Sequence, residues 1–214
     1  MFHRHMIHRH QQLPPGIKVI DESDEPVLPL ATLRQQCQIV TIDVDSDGID
    51  SHPDDGLLLG YLAAAVEHAE DFTGLSIALR TYEMAWDKFP PEELVLLRPP
   101  FIGLLSFVAG EDSDGEVDPD SYTIDTYGTF ARVIAFSGWP FVTTGTNAIR
   151  VRFMAGYRDD SDATPLPASI KQALLLLVGH WYANRESVAE GSYAEVPQGF
   201  EALLRPKRVR LGIA

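Results

Sequence analysis

The chain of 214 residues has one cysteine, no long hydrophobic run and few positive charges. The lone Cys37 cannot form an internal disulfide or a Cys-only metal site, so a reducing compartment is the simpler expectation. The longest nearly apolar runs, 57–66 and 173–179, are shorter than the ~18 residues that a membrane-spanning helix needs. No apolar stretch follows the charged N-terminus, which excludes a signal peptide. The sequence therefore predicts no membrane partner.

Negative charge dominates the composition. Lys and Arg number 17 against 31 Asp and Glu, which gives a formal net charge of −14. Tight nucleic-acid binding needs positive contact charge, so a duplex-DNA-binding protein is a poor interpretation. Apolar residues make up 45% of the chain, which is enough for the core of one large domain or two small ones.

Hydrophobic periodicity changes twice along the chain. Apolar residues at spacings of three and four predict helices over 30–39, 54–73, 168–188 and 199–204. Runs rich in β-branched and aromatic residues predict a short strand at 16–20, strands beginning near residue 77, and further strands at 94–97, 101–109, 122–126, 132–136 and 149–154. Asp114-Gly115 is a hairpin-turn signal. The predicted class is α+β, a bundle of about four helices with an inserted antiparallel β domain.

These boundaries predict four parts of the chain. Residues 1–25 form a flexible His-rich tail and an acidic loop, and residues 206–214 form a basic arm. Residues 26–75 and 165–205 build the helical core, and 76–160 build the β domain. The tail also carries His3, His5, His8 and His10, which could chelate a metal but have no fixed geometry in a flexible segment.

One acidic cluster has the spacing of a calcium loop. The carboxylates with that spacing are Asp43, Asp45, Asp47 and Asp54, and the same acidic cluster also contains Asp50 and Asp55. Carboxylates at alternate positions converge on one ion in such loops, so a metal-binding module or a metal-dependent hydrolase is an alternative function. Against it, Pro53 precedes Asp54, and Asp54 stands where a bidentate Glu is usual. The competing interpretation is a solvated acidic loop that caps the next helix.

Enzyme motifs are absent from the sequence. It contains no nucleophile elbow, zinc-protease helix, Walker loop, dinucleotide-binding glycine motif or paired cysteines. We therefore predict no enzymatic activity, no catalytic residue, no bound metal and no cofactor.

Five stretches, in this order, resemble the head–tail connector (adaptor) proteins of long-tailed bacteriophages, prophages and gene transfer agents. They are LRPP from Leu97, DPDSY from Asp118, VRFMAGY from Val151, PASIKQALLLLVGHWYANRE from Pro167 and PQGFEALL from Pro197. The likeness extends over about 26–209, and the helix over 170–186 is its most specific part. This chain departs from the shorter members of the family in carrying the large β insertion.

The resemblance implies a structural virion protein. Family members form a homo-oligomeric ring of about twelve copies below the portal, extend the DNA channel, and carry the next neck, stopper or tail-terminator protein. They locate to the head–tail junction after synthesis in the host bacterial cytoplasm, and duplex DNA passes through them transiently. The C-terminal segment of the family reaches the portal, which assigns Arg205, Lys207, Arg208 and Arg210 to a docking arm. A solubilising tail is the alternative role.

Two further observations agree with a connector. The Asp43–Asp55 cluster and the segment 111–125 contribute six and seven carboxylates without a Lys or Arg, as expected for a lumen that repels phosphate. In the long C-terminal helix, Ile170, Leu174, Leu177 and Trp181 form a core stripe. The other face, with Leu175, Leu176 and His180, would meet either the next subunit or the β insertion.

Overall fold

The computed structural model describes residues 15–40, 43–44, 50–110, 115–140, 145–157, 164–185 and 198–209. These ranges contain four helices, namely Leu30–Gln36 (α1), Asp55–Thr73 (α2), Ala168–Ala183 (α3) and Gln198–Leu204 (α4). They also contain nine strands: Gly16–Glu22 (β1), Asp43–Val44 (β2), Asp50–Ser51 (β3), Arg80–Trp86 (β4), Glu93–Leu96 (β5), Phe101–Ala109 (β6), Tyr122–Asp125 (β7), Ala131–Ala135 (β8) and Ile149–Ala155 (β9). The predicted α+β class is confirmed.

The strands form two antiparallel sheets and one two-residue ribbon. Strand order is β1-β4-β9-β6 in the larger sheet and β5-β8-β7 in the smaller one, while β2 pairs with β3. Side chains from the four-stranded and the three-stranded sheet meet in one core, which includes the fully buried Met84, Phe107, Val133 and Phe153. The alternation of buried and exposed residues along β9 is the pattern expected of a strand with one face in that core.

Residues 16–22 correct one predicted boundary. The prediction assigned 1–25 to a tail and an acidic loop, but β1 pairs with β4 from Gly16 opposite Ala85 to Glu22 opposite Arg80. The paired residues of β1 and β4 lie 58 to 69 positions apart in the sequence, so no local signal shows which sheet β1 joins. The β part of the chain therefore includes residues before the first helix. The division into domains otherwise stays a prediction, and residues 1–14 lie outside the described ranges.

Helix ends follow from backbone conformation. The end of α2 is capped by Gly74 at φ 77°, in the left-handed region that glycine adopts without a steric cost. Helix α1 ends at Gln36, three residues before the predicted end, and Gln38 has a left-handed φ of 57°. Helix α3 ends at Ala183, five residues before its predicted end, with Asn184 donating its backbone N–H to the His180 carbonyl.

Helix α3 is the centre of a second core. Its residues Ile170, Leu174 and Leu177 are fully buried, and it packs against α1, α2 and α4. Leu175 is also buried in this core, and Leu176 lies half-buried beside Gly199 of α4. Helix α4 therefore covers part of this face, and its contact with the next subunit stays a prediction.

A buried carboxylate joins the helices to the strands. Glu70 of α2 accepts hydrogen bonds from the backbone N–H of Ile77 at 2.6 Å and of Ala78 at 3.0 Å, and it forms an ion pair with Arg80. Arg80 also pairs with Glu22 at 2.7 Å. Burial acts to lower the pKa of Arg80, but the two carboxylates outweigh it and raise that pKa. The guanidinium thus stays charged in a largely buried position.

Close backbone packing completes this junction. Gly156, directly after β9, has φ 132°, and a Cβ at this position would lie 2.4 Å from the Ala78 carbonyl oxygen. Its N–H donates to the Pro100 carbonyl at 3.0 Å, and Ser76 donates to Pro99 at 2.8 Å. The chain therefore needs glycine here for both conformation and space. No helix within the described ranges is long and apolar enough to cross a membrane.

Replacing Glu70 tests the importance of the junction. Glu70→Ala leaves Arg80 and two backbone donors without their acceptor, so we expect unfolding free energy to fall by about 3–5 kcal/mol in urea denaturation. The control is Glu67→Ala, an exposed carboxylate on the same helix, which should change stability by less than about 0.5 kcal/mol. Equal effects of the two variants would contradict the assignment.

Candidate docking surfaces

The predicted acidic cluster is divided between a ribbon and a helix start. Asp43 and Asp50 lie in the paired strands β2 and β3, and Asp54 and Asp55 lie at the beginning of α2. Asp45 and Asp47 are outside the described residues. Asp54 is the N-cap residue of α2, but its side chain makes no capping hydrogen bond, so Asp54 and Asp55 favour the helix start only through its dipole.

Asp55 is paired with a cation from another helix. Arg34 of α1, whose side chain is only 7% exposed, donates its Nε to Asp55 Oδ1 at 2.8 Å and its Nη2 to Oδ2. The backbone N–H of His52 donates to the same carboxylate at 2.7 Å. The hydrogen bond from Arg34 holds the pKa of Asp55 below its usual value, although burial opposes this. The two-point geometry fixes α1 against the start of α2.

Asp54 is paired in the same way with the end of α3. Arg185 Nη2 lies 2.6 Å from Asp54 Oδ2, and the Tyr182 hydroxyl donates to that oxygen at 2.8 Å. The Arg185 guanidinium also stacks over the Tyr182 ring at 4.1 Å. These partners, Arg185 first, lower the pKa of Asp54.

The two pairs correct the expectation of six unrelieved carboxylates. Arg34 and Arg185 are distant in sequence, so the local pattern could not reveal them. Arg185 and Tyr182 also occupy oxygens of Asp54, the last carboxylate of the predicted calcium loop. Among the described residues, no group of three or more His, Cys, Asp or Glu side chains is placed to hold a metal ion. The metal-binding alternative therefore has no support in this part of the molecule.

In the second acidic segment, 111–125, most of the described carboxylates have no ion-pair partner. Glu116, Asp118 and Asp120 are exposed, and within the described ranges none has an ion-pair partner. Asp118 accepts the Asp120 N–H at 3.0 Å at the start of the 3₁₀ turn Pro119–Ser121. Asp125 differs, because it is paired with Arg132 of β8. Residues 111–114, including Asp114 of the predicted turn, lie outside the described ranges.

The basic segment begins as an anchored part of the fold. Arg205–Lys207 form a 3₁₀ turn directly after α4, and the Val209 N–H donates to the Thr73 carbonyl at 2.8 Å. Arg208 lies over the Phe72 ring at 5.4 Å. Arg205 and Lys207 are exposed. The predicted arm is therefore held against the end of α2 as far as Val209, and Arg210 is outside the described residues.

Trp181, His180 and Cys37, which the sequence also singled out, are all partly buried. Trp181 is half-buried with its ring centroid 6.0 Å from that of Tyr61, so it lies at the margin of the core stripe. His180 is also half-buried, with Nδ1 3.4 Å from the Asn184 amide. Burial raises the pKa of the Cys37 thiol, which opposes the thiolate form that a nucleophile needs.

The structure also reveals exposed apolar side chains that the sequence analysis did not assign. They are Leu57 and Leu59 of α2, Val19 and Ile20 of β1, Leu105 of β6, and Val40, Tyr127 and Phe136 in or beside loops. The sequence did contain a signal for exposed apolar side chains at Leu57 and Leu59. Residues 56–66 have no charged side chain, so this part of the helix is apolar on all sides.

Comparison with known proteins supports one family. Residues 142–208 match the family described as phage gp6-like head-tail connector protein. The matched residues begin before β9 and include α3, α4 and the 3₁₀ turn at Arg205–Lys207. The resemblance found from the sequence is confirmed. No curated protein sequence matches the chain.

Solved structures share the fold over nearly the whole chain. A chain from the neck of an empty gene transfer agent particle, computed with sixfold symmetry, has 22% identity and a TM-score of 0.72 over 93% of this chain and 98% of its own. A chain from the virion of a native gene transfer agent particle has 23% identity and a TM-score of 0.68 over 92% and 98%. A third, from the native neck computed with twelvefold symmetry, has 22% identity and a TM-score of 0.65 over 93% and 98%.

The Arg34–Asp55 pair gives a pH-dependent prediction. Asp55→Asn should lower the unfolding free energy by roughly 1.5–3 kcal/mol at pH 7, because a hydrogen-bonded charge partner is lost. The folded-state pKa of Asp55 is depressed, so its contribution is present above the ordinary value of 3.8 and is lost as pH falls through the lower folded value. Urea denaturation of both chains should give a constant difference from pH 5 to 8 that shrinks below pH 4. Asp120→Asn, at an exposed position, is the control, and a difference that grows with acid would contradict the assignment.

Proposed function

We propose that this chain is a structural head–tail connector subunit in the neck of a phage-like particle and has no enzymatic activity. The observation that carries the proposal is the connector-family match over residues 142–208. It lies within a fold shared with neck chains over 93% of the molecule. The role is mechanical: the subunit continues the channel from the capsid and provides a surface on which tail components assemble.

The proposed assembly is a closed ring of about twelve copies. The similar chains belong to necks computed with sixfold and twelvefold symmetry, and a cyclic ring needs two different, complementary surfaces on each subunit. Because the buried apolar side chains of α3 pack against the other helices, we assign the subunit contacts mainly to exposed surfaces elsewhere. Leu57 and Leu59 on α2 are the strongest apolar candidates among the helices.

The basic segment is the proposed portal contact. Val209 is anchored to Thr73, so the exposed cations Arg205, Lys207 and Arg208 start from a fixed position on the subunit. Arg210 continues the positive charge. A cationic segment on a chain of net charge −14 is suited to an acidic partner surface, where complementary charge raises association rates and fixes register.

Carboxylates of the two acidic segments are the proposed contribution to the DNA path. Glu116, Asp118 and Asp120 are exposed and lack ion-pair partners among the described residues, and Asp43 and Asp50 belong to the β2–β3 ribbon. A lumen lined by such residues repels phosphate and avoids the counterion-release binding that would retain DNA. We further propose that the opposite end of the ring carries a stopper or tail-terminator protein, and that the chain is made in the host cytoplasm before it enters the virion.

Removing the chain during particle assembly tests the connector role. A neck without its connector cannot join head and tail, so we expect DNA-containing heads without tails by negative-stain electron microscopy. Supplying the wild-type chain should restore tailed particles that contain it in a fixed ratio to the portal. Tailed, DNA-delivering particles that lack the chain would contradict the proposal, as would enzymatic turnover as its main activity.

Charge reversal in the basic segment tests portal docking. Arg205→Glu with Lys207→Glu should weaken binding of the purified chain to its portal by roughly tenfold or more, because attraction becomes repulsion at both sites. The control is Lys171→Glu, an exposed cation on α3. Binding is measured by biolayer interferometry at two salt concentrations, with circular dichroism to verify folding. Equal affinity of both variants would remove the docking role from this segment.

A further inference from the structure

A groove with an apolar floor lies between α2 and the linker from β1 to α1. It encloses about 280 Å³. Leu62 and Val66 of α2 form its buried floor, and Leu59 and Ala63 present exposed side chains along one wall. Val27 of the linker lies on the other side. The groove therefore exposes part of the uncharged surface of α2 to any chain segment that can reach it.

The rim of this groove is acidic. Glu22, Asp24 and Glu25 come from the linker, and Glu67 comes from α2. Arg80 is the one cation among the lining residues, and its guanidinium is already paired with Glu22 and Glu70. Asp24, Glu25 and Glu67 are exposed and have no ion-pair partner among the described residues. An apolar floor inside such a rim fits a segment that combines aliphatic or aromatic side chains with positive charge.

Two segments of this chain outside the described ranges carry net positive charge. Residues 1–14 contain Arg4, Arg9 and four histidines together with Phe2, Met6 and Ile7, and the first acidic residue of the chain is Asp21. Residues 210–214 have the sequence RLGIA. The other such segments with charged residues are acidic overall. The N-terminal segment thus supplies more positive charge and more apolar side chains than the C-terminal one.

Chain length favours the same segment. Fourteen extended residues span roughly 48 Å. Strand β1 separates Gly16 from Glu22 at the groove and is about 20 Å long, so residues 1–14 are long enough to fold back along it. Five residues after Val209 span roughly 17 Å. Leu59 lies about 21 Å along α2 from Thr73, where Val209 is anchored. Residues 210–214 can therefore reach the Glu67 end of the groove but not Leu59, whereas residues 1–14 are long enough to follow the whole groove.

We propose that residues 1–14 dock in the groove of their own subunit and cover the exposed apolar wall of α2, with Arg4 and Arg9 on its acidic rim. This intramolecular contact is independent of the connector role. The facing charged groups are Glu22, Asp24 and Glu25 from the linker, Glu67 from α2 and Arg80 from β4. Protonation of His3, His5, His8 and His10 adds cations to the docked segment, so acid strengthens the contact.

Paramagnetic relaxation measured by NMR tests the docking. A spin label at His5→Cys, in a full chain with Cys37→Ser, should broaden the amide resonances of residues 22–27 and 59–67. Broadening should be stronger at pH 5.5 than at pH 7.5 and weaker in 0.5 M salt. Arg4→Glu with Arg9→Glu should reduce the broadening at least threefold, and adding Glu25→Lys with Glu67→Lys should restore it. Lys88→Glu with Lys171→Glu is the control and should leave it unchanged.

Several results would overturn the proposal. One is the absence of broadening at the groove in the wild-type background, and another is broadening that charge reversal leaves unchanged. A label at Leu211→Cys that broadens the groove when the residue 5 label does not would assign the groove to the C-terminus. Broadening between a labelled chain and a separate ¹⁵N chain would show docking between subunits instead. Hydrogen–deuterium exchange of the unmodified chain and of the charge variants provides a second measurement if Cys37→Ser disturbs the fold. None of these readouts depends on particles, so failure of the docking leaves the connector proposal intact.

Discussion

The buried carboxylate of Glu70 is the constraint on which the rest of the structure depends. It lies near the end of α2 and accepts from two backbone N–H groups of the turn that leads into β4, while its charge is balanced by Arg80. An unpaired carboxylate at this depth would be strongly unfavourable, so the helical core and the β core can be arranged only in the way that satisfies it. The close packing of Gly156 against Ala78 acts at the same junction. Helices and strands with separate apolar cores thereby have one fixed connection.

Charge on this molecule is partitioned by tertiary contacts. Some carboxylates serve as structural ties: Asp55 binds Arg34 and Asp54 binds Arg185, which joins the first, second and third helices at one end of the bundle. Others, such as Asp118 and Asp120, stay exposed and contribute to the external field. Net charge alone therefore overstates the negative surface available to repel DNA. The part relevant to a channel is the set of carboxylates without a cation partner.

The proposed connector role places different demands on different surfaces. Helix α3, the centre of the family resemblance, packs its buried side chains against the neighbouring helices and supports the subunit from within. Assembly must then use surfaces that the subunit leaves open, including the apolar part of α2 and the cations after α4. The hydrogen bond of Val209 to Thr73 holds Arg205, Lys207 and Arg208 at a defined place on the subunit, whereas a free tail would let them move. An N-terminal segment that covers the groove beside α2 would add a further, charge-dependent element to that surface.

The sequence by itself determined the elements whose signals are local. The stripe of Leu58 and Leu62 identified α2, and strand 101–109 coincides with β6, because periodicity depends only on neighbouring residues. The five stretches between Leu97 and Leu204 were also sufficient to reveal the resemblance to head–tail connector proteins. Only the tertiary structure decided which charges are paired, that β1 joins β4, and that α4 lies against α3. Arg185 and Asp54 are separated by 131 residues, and their hydrogen bond exists because the core brings the ends of α3 and α2 together. No local pattern encodes that distance.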